Sequence, residues 1–170
     1  MSVQEHKAQL PTGIPCFVLT VSDTRTRETD TSGQTIAGHL ERAGHRVVGR
    51  AVVRDEPAEV ARLVRGHVDA AEVRAIVTTG GTGLSRRDTT YEALSAMFDK
   101  RIDGFGELFR VLSFDSIGPA AMLSRATAGI VGRTVIFMLP GSEQAVGLAM
   151  EKLVVPELAH IVRELDKHVA

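Results

Sequence analysis

The chain contains no tryptophan, one tyrosine and one cysteine. With aromatics at 4 %, it has no platform of rings on which unpaired bases could stack. Its single thiol, Cys16, allows no disulfide within the chain and cannot begin a zinc ribbon. An excess of one charge is also missing. Twenty Lys and Arg face 21 Asp and Glu, a formal net charge of −1. No global basic field draws nucleic acid or an anionic membrane. The six histidines are scattered, and none falls at a metal-ligand spacing. No apolar run approaches the roughly 18 residues of a membrane span. The charged opening residues lack the core of a signal peptide. These absences point to a cytoplasmic protein with no nucleic-acid and no membrane partner.

What is present is alternation. The 170 residues, 44 % hydrophobic, suffice for one domain with a sizeable core. Residues 1–13 read as an N-terminal extension and 14–170 as a single domain. "CFVLTVS" at 16–22 reads as a buried strand, with Cys16 as a buried free thiol. A helix over 32–44 places Ile36, Leu40 and Ala43 on one face and stops at Gly44. A strand at 45–53 follows. A helix at 57–71 carries Val60, Leu63, Val64 and Val68 on one stripe, with Pro57 in its first turn. "RAIVTT" at 74–79 is a third strand. Helical material fills 90–127, broken near Gly104, Gly118 and Pro119. "RTVIFML" at 133–139 is a further strand, and helices over 142–154 and 156–169 close the chain. Strands alternating with helices imply crossover connections. The expected fold is a three-layer α/β/α sandwich with a mostly parallel sheet.

In such sheets ligands bind beyond the carboxyl ends of the strands. Four polar segments lie there: Ser22-Asp23-Thr24-Arg25, Arg54-Asp55-Glu56-Pro57, the loop from Gly80 to Asp88, and Pro140-Gly141-Ser142. If the four strands are parallel, these segments converge on one edge.

The loop "TTGGTGLSRRD" is neither a Walker A motif, for it lacks the lysine, nor a dinucleotide fingerprint, for its third glycine is missing. Gly80, Gly81, Thr82 and Gly83, with the hydroxyls of Thr79 and Thr82, make either a phosphate nest or a plain strand-to-helix turn. Thr89 and Glu92 have capping-box spacing, which would leave Asp88 outside the helix and free to act. Asp55 reads as a helix cap or a functional carboxylate, and Asp30 or Ser32 as the cap of the first helix. Asp23 is a candidate to face the pocket. Arg86 and Arg87 are either solvated or anion-binding. Ser142 either caps the next helix or helps hold an anion. Anion donors beside carboxylates suggest a phosphate-containing ligand, with Mg²⁺ held near its phosphates.

The ordered set "SDTR", "DTSG", "DEP", "TTGGTGLSRRD", "GFGELFR" and "LPGS" resembles the MoaB/MogA family of molybdenum cofactor biosynthesis. The likeness runs from about residue 14 to 160. The segment from Gly104 to Gly129 looks closest to the MoaB branch. The resemblance implies a domain that binds molybdopterin and, in active members, adenylylates it with Mg²⁺ and ATP, releasing pyrophosphate. It implies catalytic roles for Asp55 and Asp88. Ligand contacts would come from Ser22, Asp23, Thr79, Gly80, Gly81, Thr82, Gly83, Arg87, Thr89, Pro140, Gly141 and Ser142. It also implies a homo-oligomer, trimer or hexamer, and a MoeA-like metal-insertion protein as partner. A family member that binds molybdopterin as a scaffold without turnover is the alternative. The family often has Pro where this chain has Tyr91.

Overall fold

A computed structural model describes residues 10–167. Most of the expected N-terminal extension, and the last two residues of the expected final helix, lie outside that range.

The chain forms β1 (Pro15–Val21), α1 (Thr31–Arg42), β2 (Arg46–Val53), α2 (Pro57–Asp69) and β3 (Ala75–Thr79). A short helix α3 (Thr90–Ser95), a two-residue strand β4 (Lys100–Arg101) and α4 (Asp103–Ile117) follow. A 3₁₀ turn over Gly118–Leu123 leads to β5 (Thr127–Val131) and β6 (Thr134–Leu139). The chain closes with α5 (Glu143–Ala149) and α6 (Val155–Asp166). A wider π-type turn over Met150–Val154 joins these two into one helical run. Pro156 sits in the first turn of α6 and has no N–H to continue a regular ladder.

The strands lie in the order β2-β1-β3-β6-β5-β4. The four strands read from sequence are parallel to one another. β5 runs antiparallel to both β6 and β4. The expectation of helix through residue 127 is corrected there. Residues 96–102 turn through a short edge strand, and Thr127 opens a core strand. Gly129 accounts for part of this, since the Phe98 ring occupies the space a side chain would need. Gly132, at φ +58°, closes the hairpin to β6.

Both sheet faces are covered. On one, Ile36 and Leu40 of α1, Phe105 and Phe109 of α4, and Val146, Leu158 and Val162 of the closing helices pack on Cys16, Val18, Val77 and Phe137. On the other, Val60 and Val64 of α2 and Leu94 of α3 pack on Leu19, Ile76 and Met138. Ala43, expected on the buried face of α1, is its exposed cap. Burial pushes the Cys16 thiol up to about 12, which makes it inert as a nucleophile at neutral pH.

β2 and β3 flank β1 on opposite sides, and the helices leading to them lie on opposite faces. A crevice therefore opens beyond the ends of β1 and β3, where the winding reverses.

Candidate active site

The glycine loop fills that crevice. Gly80 and Gly81 have φ of +90° and +70°. A side chain at Gly80 would run into the Val21 carbonyl, and one at Gly81 into Thr90. Both positions therefore demand glycine for conformation and for space. The Gly80 N–H donates to the Leu139 carbonyl at 3.1 Å. The Ser85 N–H donates to Asp88 Oδ2 at 3.2 Å. The intervening N–H groups of Gly81, Thr82, Gly83 and Leu84 meet no acceptor among the described residues. Successive unpaired N–H groups in a turn are the donors from which anion nests are built.

The loop borders a cavity of about 490 Å³. Gly80–Gly83 and Asp88 form one side and Pro140, Gly141 and Ser142 another. Phe109 and Ile117 of α4, with Leu123, supply an apolar wall. A smaller polar notch of about 100 Å³ adjoins it across Gly80 and Gly141. Ser22, Thr79, Arg25, Asp30 and Ser32 line the notch. Thr79 Oγ1 donates to the Pro140 carbonyl at 2.8 Å, and Ser32 Oγ to the Gly141 carbonyl at 3.0 Å. The loops after β3 and β6 are thus tied together, and the second is tied to α1. Asp30 is the cap of α1, accepting from the Gly33 N–H at 2.8 Å. Ser142 caps α5, accepting from the Ala145 N–H at 3.3 Å, while also lining the cavity.

Four of the sequence candidates stand behind the loop and outside the cavity lining. Asp55 is 5 % exposed. Its carboxylate accepts from the Thr89 N–H at 3.2 Å, Thr89 Oγ1 at 2.8 Å and Thr90 Oγ1 at 3.2 Å. The expected Thr89–Glu92 capping box does not form. Thr89 is the first residue before the helix, but its backbone sits at φ −118° and ψ −6° and not in the extended region of a capping residue, and its hydroxyl is turned to donate to Asp55. Asp88 nevertheless lies outside the helix and lines the cavity, as expected.

Asp23 accepts from Arg87 Nε at 2.7 Å and Nη2 at 2.9 Å, and from the Asp55 N–H at 3.2 Å. Arg87 Nη2 also reaches Glu56 at 2.9 Å. Hydrogen bonding to Arg87 holds the Asp23 carboxyl below its usual range, and the two carboxylates raise Arg87. This clasp joins the loops after β1, β2 and β3. Being exposed, it is screened and serves register more than stability.

Arg125 was missed in the sequence, where it fell inside the expected helical stretch. Its Nε donates to the Thr82 carbonyl at 2.9 Å and Nη2 to the Gly83 carbonyl at 2.6 Å. Nη1 pairs with Glu92, and the guanidinium lies over the Tyr91 ring, 4.6 Å from its centre. The sequence offers no local signal for this role, since the partners of Arg125 lie on another loop.

Known proteins share this fold and much of the sequence. A family profile described as a probable molybdopterin binding domain matches residues 17–160. Molybdenum cofactor biosynthesis protein B of Bacillus cereus is 49 % identical over 168 residues, covering 98 % of this chain and 99 % of that protein. The chain belongs to the MoaB family. A crystal structure of a molybdenum cofactor biosynthesis protein B superposes with a TM-score of 0.90 at 48 % identity, covering 94 % of this chain and 100 % of that one. The structure of the molybdopterin biosynthesis enzyme MoaB from Thermus thermophilus gives 0.80 at 34 %, covering 89 % and 96 %. The family thus confirmed is one of molybdenum cofactor biosynthesis, with a molybdopterin-binding domain.

Proposed function

We propose that the protein adenylylates molybdopterin with MgATP and releases pyrophosphate. The observation that carries this reading is the cavity itself. Unpaired loop N–H groups and one carboxylate face an apolar wall across a volume suited to a small ligand. The apolar wall suits the ring system of a pterin. The N–H groups of Gly81, Thr82 and Gly83 suit phosphate oxygens. An oxygen of the pterin's terminal phosphate forms a new bond to the α-phosphorus of ATP. The bond from that phosphorus to the β-phosphate oxygen breaks, and pyrophosphate leaves. Such chemistry needs positioning and charge stabilisation more than covalent help.

The loop N–H groups orient the phosphates and take up developing charge. Asp88 is the cavity carboxylate suited to hold the Mg²⁺ that accompanies ATP, directly or through water. That ion supplies charge neutralisation. Asp55 serves the same chemistry by holding Thr89 and Thr90 under the loop. Ser22 and Thr79 line the notch, and Pro140, Gly141 and Ser142 form the facing ligand loop. Arg87 and Asp23 hold the edge of the site in register.

Binding without turnover is the second reading. Its support is the state of Arg87, which is engaged by Asp23 and Glu56 instead of facing the cavity. Both readings include a homo-oligomer, trimer or hexamer. Val111 and Phe114 of α4 and Met122 of the 3₁₀ turn after it are 65 %, 57 % and 78 % exposed, an apolar surface that subunit contacts would cover. A MoeA-like metal-insertion protein is the partner that would take the adenylylated product.

Wild-type turnover decides between the two readings, and replacing Asp88 by Asn tests the role of that carboxylate within the first. The change is nearly isosteric, so molybdopterin affinity should stay within a few-fold. Single-turnover adenylylation should fall by roughly 10²–10³-fold. An unchanged rate would remove Asp88 from the chemistry.

A further inference from the structure

We propose that Arg125 is a positioning residue that sets the direction of the N–H groups in the glycine loop. The proposal rests on the reading of that loop as the phosphate site.

The argument is one of peptide geometry. In a planar trans peptide the C=O and the following N–H point in opposite directions. Arg125 draws the carbonyls of Thr82 and Gly83 toward itself with two arms of one rigid fork. The N–H groups of Gly83 and Leu84 belong to those same two peptides and so point away from the guanidinium. Both are among the four donors that meet no acceptor among the described residues. The guanidinium is fixed on its remaining sides, by Glu92 at Nη1 and by the Tyr91 ring beneath. Its side chain is 22 % exposed. Its own backbone is anchored, because Ala126 is buried and Thr127 enters β5. Hydrogen bonding to Arg125 also holds the Glu92 carboxyl below its usual range. A lysine would keep the charge at the cavity rim but could not span two consecutive carbonyls and Glu92 together.

The test compares Arg125→Lys and Arg125→Gln with the wild-type chain. Backbone ¹⁵N order parameters are measured at Gly81–Leu84, together with the molybdopterin dissociation constant. We expect order parameters of about 0.85 in the wild type and below about 0.6 in both variants. Molybdopterin should bind about tenfold more weakly to both, since a disordered nest must be ordered on binding. If Arg125→Lys matches the wild type, the residue acts through charge alone and the proposal falls. If the melting temperature drops while the loop stays ordered and the affinity holds, its role is structural and the proposal falls. If neither Arg125 variant folds, Glu92→Gln carries the test. It leaves the guanidinium but removes its charged anchor, and should weaken molybdopterin binding about threefold. An unchanged affinity there overturns the proposal. Should the wild type bind molybdopterin without adenylylating it, the adenylylation reading fails, while order parameters and affinities still decide the role of Arg125.

Discussion

Gly83→Ala moves the Asp88 carboxylate without altering its charge. A Cβ at Gly83 would lie 2.6 Å from Asp88 Oδ2 and 3.0 Å from its Cγ, where ordinary contact begins at 3.4 Å. The carboxylate must retreat by about 0.8 Å on this geometry. It is free to do so. Asp88 is held by the Ser85 N–H at 3.2 Å, and the carboxylate is the far end of a flexible side chain. Gly83 itself does not adopt a positive φ, so alanine adds no backbone strain. The stability cost should be under about 1 kcal/mol, a fall of about 2–4 °C in Tm for a domain of this size. The rate is more sensitive. A misplacement near 1 Å at a reacting centre costs on the order of 10²-fold. The assay is single-turnover adenylylation, alongside a thermal melt and a molybdopterin dissociation constant. We expect the rate to fall about 10²-fold while affinity changes by less than about threefold. A rate within twofold of wild type would mean that the position of Asp88 is irrelevant to the chemistry.

Asp55→Asn should lower stability by about 2–4 kcal/mol, because the buried amide would turn its own N–H₂ toward one of the three donors that the carboxylate now satisfies. A melt within 1 °C of wild type would contradict the bracing role. Light scattering should report about 55 kDa (3 × 18.3) or about 110 kDa (6 × 18.3), and a monomer at every concentration would remove the subunit contact assigned to Val111, Phe114 and Met122. His39 and His45 are both held by burial below the ordinary imidazole value of 6.5. As pH falls below 6.5 the unfolded chain takes up protons that the folded chain refuses, so stability is full above that value and declines below it. His45→Gln should flatten the fall in Tm between pH 7 and 5, and an unchanged slope would exclude His45 as a cause.

The half of the sheet that forms the site was legible because its strands are short apolar runs ending in polar loops. β1, β2, β3 and β6 each carry that pattern, and their parallel pairing brings all four loops to one edge. The other half was not. The apolar residues of 105–123 have helical spacing and drew the assignment forward to 127. The mark of β5 lies instead in the Gly132 hairpin, whose two strands pair from Val131 and Thr134 outward. Within the site, composition singled out the glycine loop, leaving a nest or a plain turn open, and the place of Asp88 outside the helix was reached from a capping box that does not form. The work of Asp55 was not legible, since its three donors lie 34 and 35 residues away. The same holds for Arg125, whose carbonyl partners are 42 and 43 residues distant. Capping-box spacing at Thr89 misled for a related reason. Local pattern cannot reveal that a carboxylate from another loop turns the hydroxyl toward itself and that the Thr89 backbone leaves the extended region a cap needs.

The measurement closest to the central claim uses the wild-type protein alone. Incubated with molybdopterin, ATP and Mg²⁺, it should form adenylylated molybdopterin and release one pyrophosphate for each pterin converted. Molybdopterin that stays bound and unmodified, with no pyrophosphate released, would contradict the account and leave a binding protein in its place.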